Sequence, residues 1–210
     1  KRTGAGLSSS AVNSIITVVQ NSLHTAYNLR YINDMVGDKL KRPKAVEKQI
    51  ECFSVAEQKQ IEQAVRDGEK PYMLGVLICL YTGLRIGELL ALEWSDIDFS
   101  NGTLMVDKTC HYGVNLNGQF GRIVDTPKTE TSIRLIPLPK QLIPLMKEHK
   151  KIPSKLVISK NGEGISNRTY QRNFESLLKS LNLKHRGFHA LRHTFATRAL
   201  ECGMDVKTLS

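Results

Sequence analysis

The sequence predicts an α+β chain that is mainly α. Three observations carry this prediction. Apolar residues recur at three- and four-residue steps in several capped segments, three short β-branched segments sit between turn residues in mid-chain, and helical periodicity returns after them. At 210 residues the chain allows one or two domains with a core that folds without staples.

The first helix is expected over Ala11 to Leu29, where Val12, Ile15, Ile16, Val19, Leu23, Ala26 and Tyr27 share a face behind a Ser8-Ser9-Ser10 start. Residues 1–44 are too few for a core of their own. They read as the tail of a helical domain whose beginning lies outside this chain, and Gly37 to Lys44, polar, basic and marked by Gly and Pro, reads as the linker that follows. A second domain, 45–210, gathers structure near Phe53. Ser54 and Glu57 match a capping box opening a helix to about Arg66. Pro71 opens another, with an apolar body from Met73 to Leu80, and Thr82-Gly83 breaks it before a third from Leu84 to Leu92. Thr103 to Thr109, Gly121 to Thr126 and Ser132 to Leu138 are expected to form a small three-stranded antiparallel sheet. Helices are expected again at Leu142 to His149, Asn167 to Leu181 and His189 to Cys202. Gly203 suits a C-cap, and Asp205 the N-cap of a further helix.

Composition narrows the function classes. The formal charge is +10 and the pI about 9.5, which steers the chain towards polyanions, nucleic acid first among them. A membrane surface fits less well, because Ala11 to Leu29 carries none of the Lys and Arg that interfacial helices use. No apolar run approaches the roughly 18 residues of a membrane span. Cys52, Cys79, Cys110 and Cys202 are widely spaced without a C-x-x-C pair, which suits buried thiols in a reducing compartment better than zinc ligands or disulfides. A cytoplasmic location is the expectation.

Four basic groups sit where phosphate chemistry could use them. Arg85 follows a Gly turn at a helix start, Lys128 lies in the turn Thr126-Pro127-Lys128-Thr129, and His189 with Arg192 opens the late helix. Two guanidiniums can grip both non-bridging oxygens of a phosphodiester and neutralise the charge of its transition state. Lys128 could protonate a leaving oxygen, while His189 could accept a proton from the attacking hydroxyl. No acidic cluster suggests Mg²⁺ and no P-loop suggests ATP. Each group has a plainer reading too: Arg85 and Glu88 as a surface ion pair, Lys128 as an exposed hairpin lysine, His189 and Arg192 as a solvated helix face, and His193 as a core histidine. Their joint occurrence on a basic chain favours the phosphate reading.

The segments Tyr81-Thr82-Gly83-Leu84-Arg85-Ile86-Gly87-Glu88-Leu89-Leu90-Ala91-Leu92, Thr126-Pro127-Lys128-Thr129 and His189-Ala190-Leu191-Arg192-His193-Thr194 resemble, in the same order, those of the tyrosine recombinase or phage integrase family. The likeness covers roughly Ser54 to Ser210. Residues 7–44 look like the last helix and linker of the family's core-binding domain, which clamps DNA. The resemblance implies a site-specific integrase of a phage or integrative mobile element. Arg85 and Arg192 would be its catalytic arginines, Lys128 its general acid, His189 its general base, and Glu88 the support of the first arginine. It also implies double-stranded attachment-site DNA as partner, a tetrameric synapse on that DNA, possible help from DNA-bending proteins, a nucleoid-associated place in a bacterial host, and no metal or cofactor. Chemistry would run through a 3′-phosphotyrosyl ester that conserves bond energy.

One departure matters. The family's further His or Trp and its nucleophilic tyrosine follow the His-x-x-Arg helix, whereas Tyr27, Tyr31, Tyr72, Tyr81, Tyr112 and Tyr170 all precede His189. The expectation is therefore that this 210-residue polypeptide binds DNA without cleaving it. Two other classes stay open: a type IB topoisomerase-like enzyme, which would relax supercoils without attachment sites, and a basic DNA-binding protein without chemistry. Lys39, Lys41, Arg42 and Lys44 are the candidate backbone contacts of the linker, with a solvated charge run as the alternative.

Overall fold

The computed structural model describes residues 6–44, 51–115, 117–126 and 133–205. The chain divides into two compact units, 1–49 and 50–210.

In the first unit, helix α1 runs Ser9–Asn28, capped by the Ser8 hydroxyl accepting from the Ala11 N–H at 3.2 Å. The stretch expected as a linker does not run free. It makes a 3-10 turn at Val36–Lys39 and folds back along α1: Gln20 Nε2 donates to the Gly37 carbonyl (3.0 Å), Asn13 Nδ2 to the Pro43 carbonyl (3.3 Å), and the Arg42 guanidinium to Thr17 Oγ1 (3.2 Å) and to Gln20 Oε1. No residue of α1 is buried.

The second unit begins with a lead-in segment, Glu51 to Ser54, and helix α2, Val55–Arg66. Both halves of its capping box are present: Glu57 Oε2 accepts from the Ser54 N–H (2.8 Å) and Ser54 Oγ from the Glu57 N–H (3.2 Å). A 3-10 turn at Pro71–Met73 leads into α3, Leu74–Thr82, nearly all of it buried, as an all-apolar helix of core length must be. Gly83 ends α3 at φ 68°, a left-handed conformation that glycine adopts without penalty, and α4 follows at Ile86–Ala91.

The sheet departs from expectation in its membership. Strands β1 (Ile97–Asp98), β2 (Thr103–Val106) and β5 (Arg134–Pro137) form a three-stranded antiparallel sheet in the order β1-β2-β5. Strands β3 (Thr109–Val114) and β4 (Phe120–Asp125) form a separate hairpin. The segment expected as one strand, 103–109, breaks at Asp107-Lys108. There Lys108 Nζ turns to Asp96 Oδ1 at 2.8 Å, and the chain beyond pairs with β4 instead. A third hairpin, β6 (Ser159–Lys160) with β7 (Glu163–Gly164), turns on Asn161 and Gly162, both at positive φ. That Asn-Gly pair is the usual sequence sign of a tight hairpin.

Helices α5 (Leu142–His149), α6 (Asn167–Ser180) and α7 (His189–Glu201) match their expected spans to within a residue, and Gly203 closes α7 at φ 84°. Phe53, Tyr170, Phe174 and Phe188 meet edge to face in the core, with centroids 5.3 to 6.2 Å apart. Asp205 is described, but the helix it was expected to cap lies outside the described residues. Among the described residues no helix is long and apolar enough to cross a membrane.

The lead-in segment is strapped to α7. Thr194 Oγ1 accepts from the Phe53 N–H (2.9 Å), Arg198 Nη2 donates to the Phe53 carbonyl (3.0 Å), and Arg186 stacks 4.8 Å above the Phe53 ring while bonding Glu57 Oε1 at 2.8 Å. Thr194→Val keeps the volume but leaves a buried N–H without its acceptor. It is expected to cost about 1–3 kcal/mol, read as a lower urea midpoint at unchanged m-value. An unchanged midpoint would mean that the strap adds nothing to stability.

Candidate phosphate-binding site

The site is assembled around the turn between α3 and α4. Arg85 occupies the N-cap position of α4, where an extended backbone turns its N–H towards the helix's own first turn. Glu88 stands three residues on and closes back. Its Oε2 accepts the Arg85 N–H (2.9 Å) and its Oε1 accepts Arg85 Nη1 (3.0 Å). From β5, Arg134 donates Nη1 to Oε1 (3.1 Å) and Nη2 to Oε2 (2.8 Å). Glu88 is only 9% exposed. Burial by itself would raise its carboxyl; hydrogen bonds from Arg134 and the Arg85 N–H outweigh that and hold it below the ordinary value, so it is a carboxylate at neutral pH.

Arg192 comes from α7, one turn beyond His189. Its Nη1 donates to the Gly83 carbonyl at 2.6 Å, which moors its guanidinium two residues from Arg85 in sequence. Burial first, and then the positive charge of Arg85, lower the Arg192 pKa. The guanidiniums of Arg85 and Arg134 bond the Glu88 carboxylate, that of Arg192 bonds the Gly83 carbonyl, and the Arg85 side chain is 55% exposed. A phosphodiester relieves the like-charge repulsion, and its doubly charged transition state relieves it further.

The structure brings Arg85, Glu88 and Arg192 together. His189 is exposed at the first position of α7, above the buried ring of Phe188. The N–H groups of Ala190 and Leu191 already bond the Gly187 and Phe188 carbonyls, so at these two positions the helix start has no unpaired N–H to offer an anion. The grip comes from side chains. His193 is exposed, against its alternative reading as a core histidine. Lys128 lies outside the described residues. Lys39, Lys41, Arg42 and Lys44 are exposed in the first unit, with Arg42 engaged by Gln20 and Thr17.

Arg134 was missed by the sequence reading. Its partner lies 46 residues away, and nothing local marks it except its place in a strand. The tyrosines of the second unit have structural roles. Tyr170 is buried and donates to the Tyr72 carbonyl, Tyr112 donates to the Gly164 carbonyl, Tyr72 is buried, and burial followed by a hydrogen bond with Glu62 raises the Tyr81 phenol. Among the described residues no group of three His, Cys, Asp or Glu side chains could hold a metal ion.

Gly83 permits the site's close approach. A Cβ there would stand 2.5 Å from Phe195 Cδ1, inside contact distance of the helix that carries Arg192, and φ 68° strains any L side chain. Gly83→Ala is expected to destabilise the fold by about 1–3 kcal/mol in denaturant titration and to weaken anion binding, since Phe195 and α7 must withdraw. Wild-type stability together with wild-type anion affinity would contradict this packing account.

Residues 52–210 match the Phage integrase family. The chain is 30% identical to a tyrosine recombinase XerC-like protein of Caldanaerobacter subterraneus subsp. tengcongensis, over 98% of this chain and 59% of that protein. It is 28% identical to the ICEBs1 integrase of Bacillus subtilis, over 97% of this chain and 58% of that protein. It thus spans less than two thirds of the length of these relatives. Among solved structures, the Tn1549 transposon integrase in complex with transposon right end DNA superposes with a TM-score of 0.83 at 24% identity, covering 97% of this chain and 71% of that one. A lambda integrase tetramer bound to a Holliday junction superposes at 0.71 and 21% identity, covering 96% and 57%. These likenesses show a shared fold, and with the match over 52–210 they establish that the chain belongs to the phage integrase family.

Proposed function

We propose that this chain is the body of a site-specific DNA recombinase that breaks and rejoins duplex DNA by transesterification at phosphodiesters. The observation that carries the reading is the convergence of Arg85 and Arg192 on the Gly83 turn, with Glu88 buried beneath. In this reading the two guanidiniums hold the non-bridging oxygens of the scissile phosphate and become more favourable as charge builds in the transition state. His189 exchanges a proton with the attacking and later departing tyrosyl oxygen. Lys128, which falls between β4 and β5 in sequence, protonates the departing 5′ oxygen. The nucleophilic tyrosine is not among the six of residues 1–210, so these residues supply grip and proton transfer but no attacking group. The first unit, with Lys39, Lys41, Arg42 and Lys44, is read as part of a DNA clamp. The solved relatives on transposon-end DNA and on a Holliday junction support a tetrameric assembly on attachment-site DNA. Accessory DNA-bending proteins and a place at the nucleoid of a bacterial host belong to the same reading.

Binding to duplex DNA is expected to fall steeply with salt, with a log–log slope near −0.9 per phosphate neutralised. Arg85→Ala and Arg192→Ala should each reduce that slope by about one. In the protein as its gene encodes it, either change should also slow formation of a detergent-resistant covalent adduct on nicked duplex, by about 2.7–4 kcal/mol per lost contact. Wild-type salt slopes and adduct rates in both variants would remove the phosphate grip from the account. Relaxation of a plasmid without attachment sites would instead favour a topoisomerase.

A further inference from the structure

Arg134 and Arg85 divide Glu88 between them. Each carboxylate oxygen accepts one bond from each arginine: Oε1 from Arg85 Nη1 (3.0 Å) and Arg134 Nη1 (3.1 Å), Oε2 from the Arg85 N–H (2.9 Å) and Arg134 Nη2 (2.8 Å). Four donors fix the plane as well as the place of the carboxylate. Two roles for Arg134 fit a basic cluster beside a phosphate: a third grip on the anion, or a clamp on the carboxylate. The geometry distinguishes them. Both Nη groups of Arg134 are directed at Glu88, and its side chain is 29% exposed against 55% for Arg85.

We infer that Arg134 is a positioning residue: by holding both oxygens of Glu88 it orients the carboxylate on which the Arg85 guanidinium rests, and does not itself touch the phosphate. The inference rests on the phosphate reading of Arg85 and Arg192. Its consequence reaches further along the chain. Arg134 opens β5, six residues after Lys128 in sequence, so that strand is tied at its first residue to the support of Arg85.

The test uses the 210-residue chain and ¹⁵N NMR of arginine Nε–Hε groups, first without ligand. Arg134→Gln is expected to move the Arg85 signal towards that of free arginine and to shift the Glu88 carboxyl titration upwards. Arg134→Lys should move both less, and it supplies the reading if the glutamine variant does not fold. Unchanged Arg85 and Glu88 signals overturn the inference. Inorganic phosphate is then titrated. Arg134→Gln alone should weaken phosphate binding at Arg85 about tenfold, whereas adding it to Glu88→Gln should change affinity by less than about twofold, because Arg134 acts through Glu88. A further tenfold loss in the Glu88→Gln background makes Arg134 a direct phosphate ligand and overturns the inference. A wild-type chain in which phosphate moves neither Arg85 nor Arg192 counts against the proposed function, while the ligand-free signals still decide the role of Arg134.

Discussion

A buried carboxylate is costly unless it is fully paired, and Glu88 is paired by two arginines from different parts of the chain. Much of the second unit's local architecture serves that arrangement. The Gly83 turn frees α4 to start at Arg85, the N-cap conformation of Arg85 turns its N–H onto Glu88, and the pairing of β5 with β2 delivers Arg134 to the same two oxygens. Loss of the Arg134 side chain leaves the buried charge with two of its four donors, and loss of the Arg85 side chain leaves it with three, so the pairing matters more than that of a surface pair.

In the proposed reading the same cluster prepares the site for an anion. Arg192 adds a third guanidinium through its bond to the Gly83 carbonyl, and burial followed by the positive charge of Arg85 lowers its pKa. The Arg85 side chain is exposed, and in the proposed reading it is there that a phosphate from solvent meets it. Helix α7 is anchored to the core, since Thr194 and Arg198 take both polar backbone groups of Phe53 and the Phe188 ring packs against Tyr170 and Phe174. In the proposed reading the grip is preformed, and its electrostatic work needs no rearrangement when charge develops.

What could be read from the sequence was what is encoded locally. The Ser54-x-x-Glu57 box, the Gly83 break and the spans of α5, α6 and α7 all follow from periodicity and caps within a few residues, and the structure reproduces them. Pairings between distant segments could not be read in that way. Residues 103–109 look like one strand until Lys108 meets Asp96, and β3 hides its alternation behind His111, Tyr112 and Gly113. The Asn161-Gly162 hairpin was legible and went unread. The polar run from Gly37 to Lys44 looked like a free linker because its partners on α1 are two amides, a hydroxyl and a single histidine, His24 against Asp38, which make no complementary pattern. Arg85, Glu88 and Arg192 were visible as residues, but the third arginine that completes their geometry was not, because only the fold places β5 beside α4.

The central claim is that Arg85 and Arg192 converge on one phosphate. Tungstate, a heavy tetrahedral oxyanion, tests it most directly when crystals of the 210-residue chain are soaked at low ionic strength and the anomalous difference density is measured. The account predicts one dominant peak within hydrogen-bonding distance of both guanidiniums, with Glu88 still bound by Arg85 and Arg134. A peak that contacts only one of the two arginines, or tungstate bound elsewhere while this site stays empty, would contradict it.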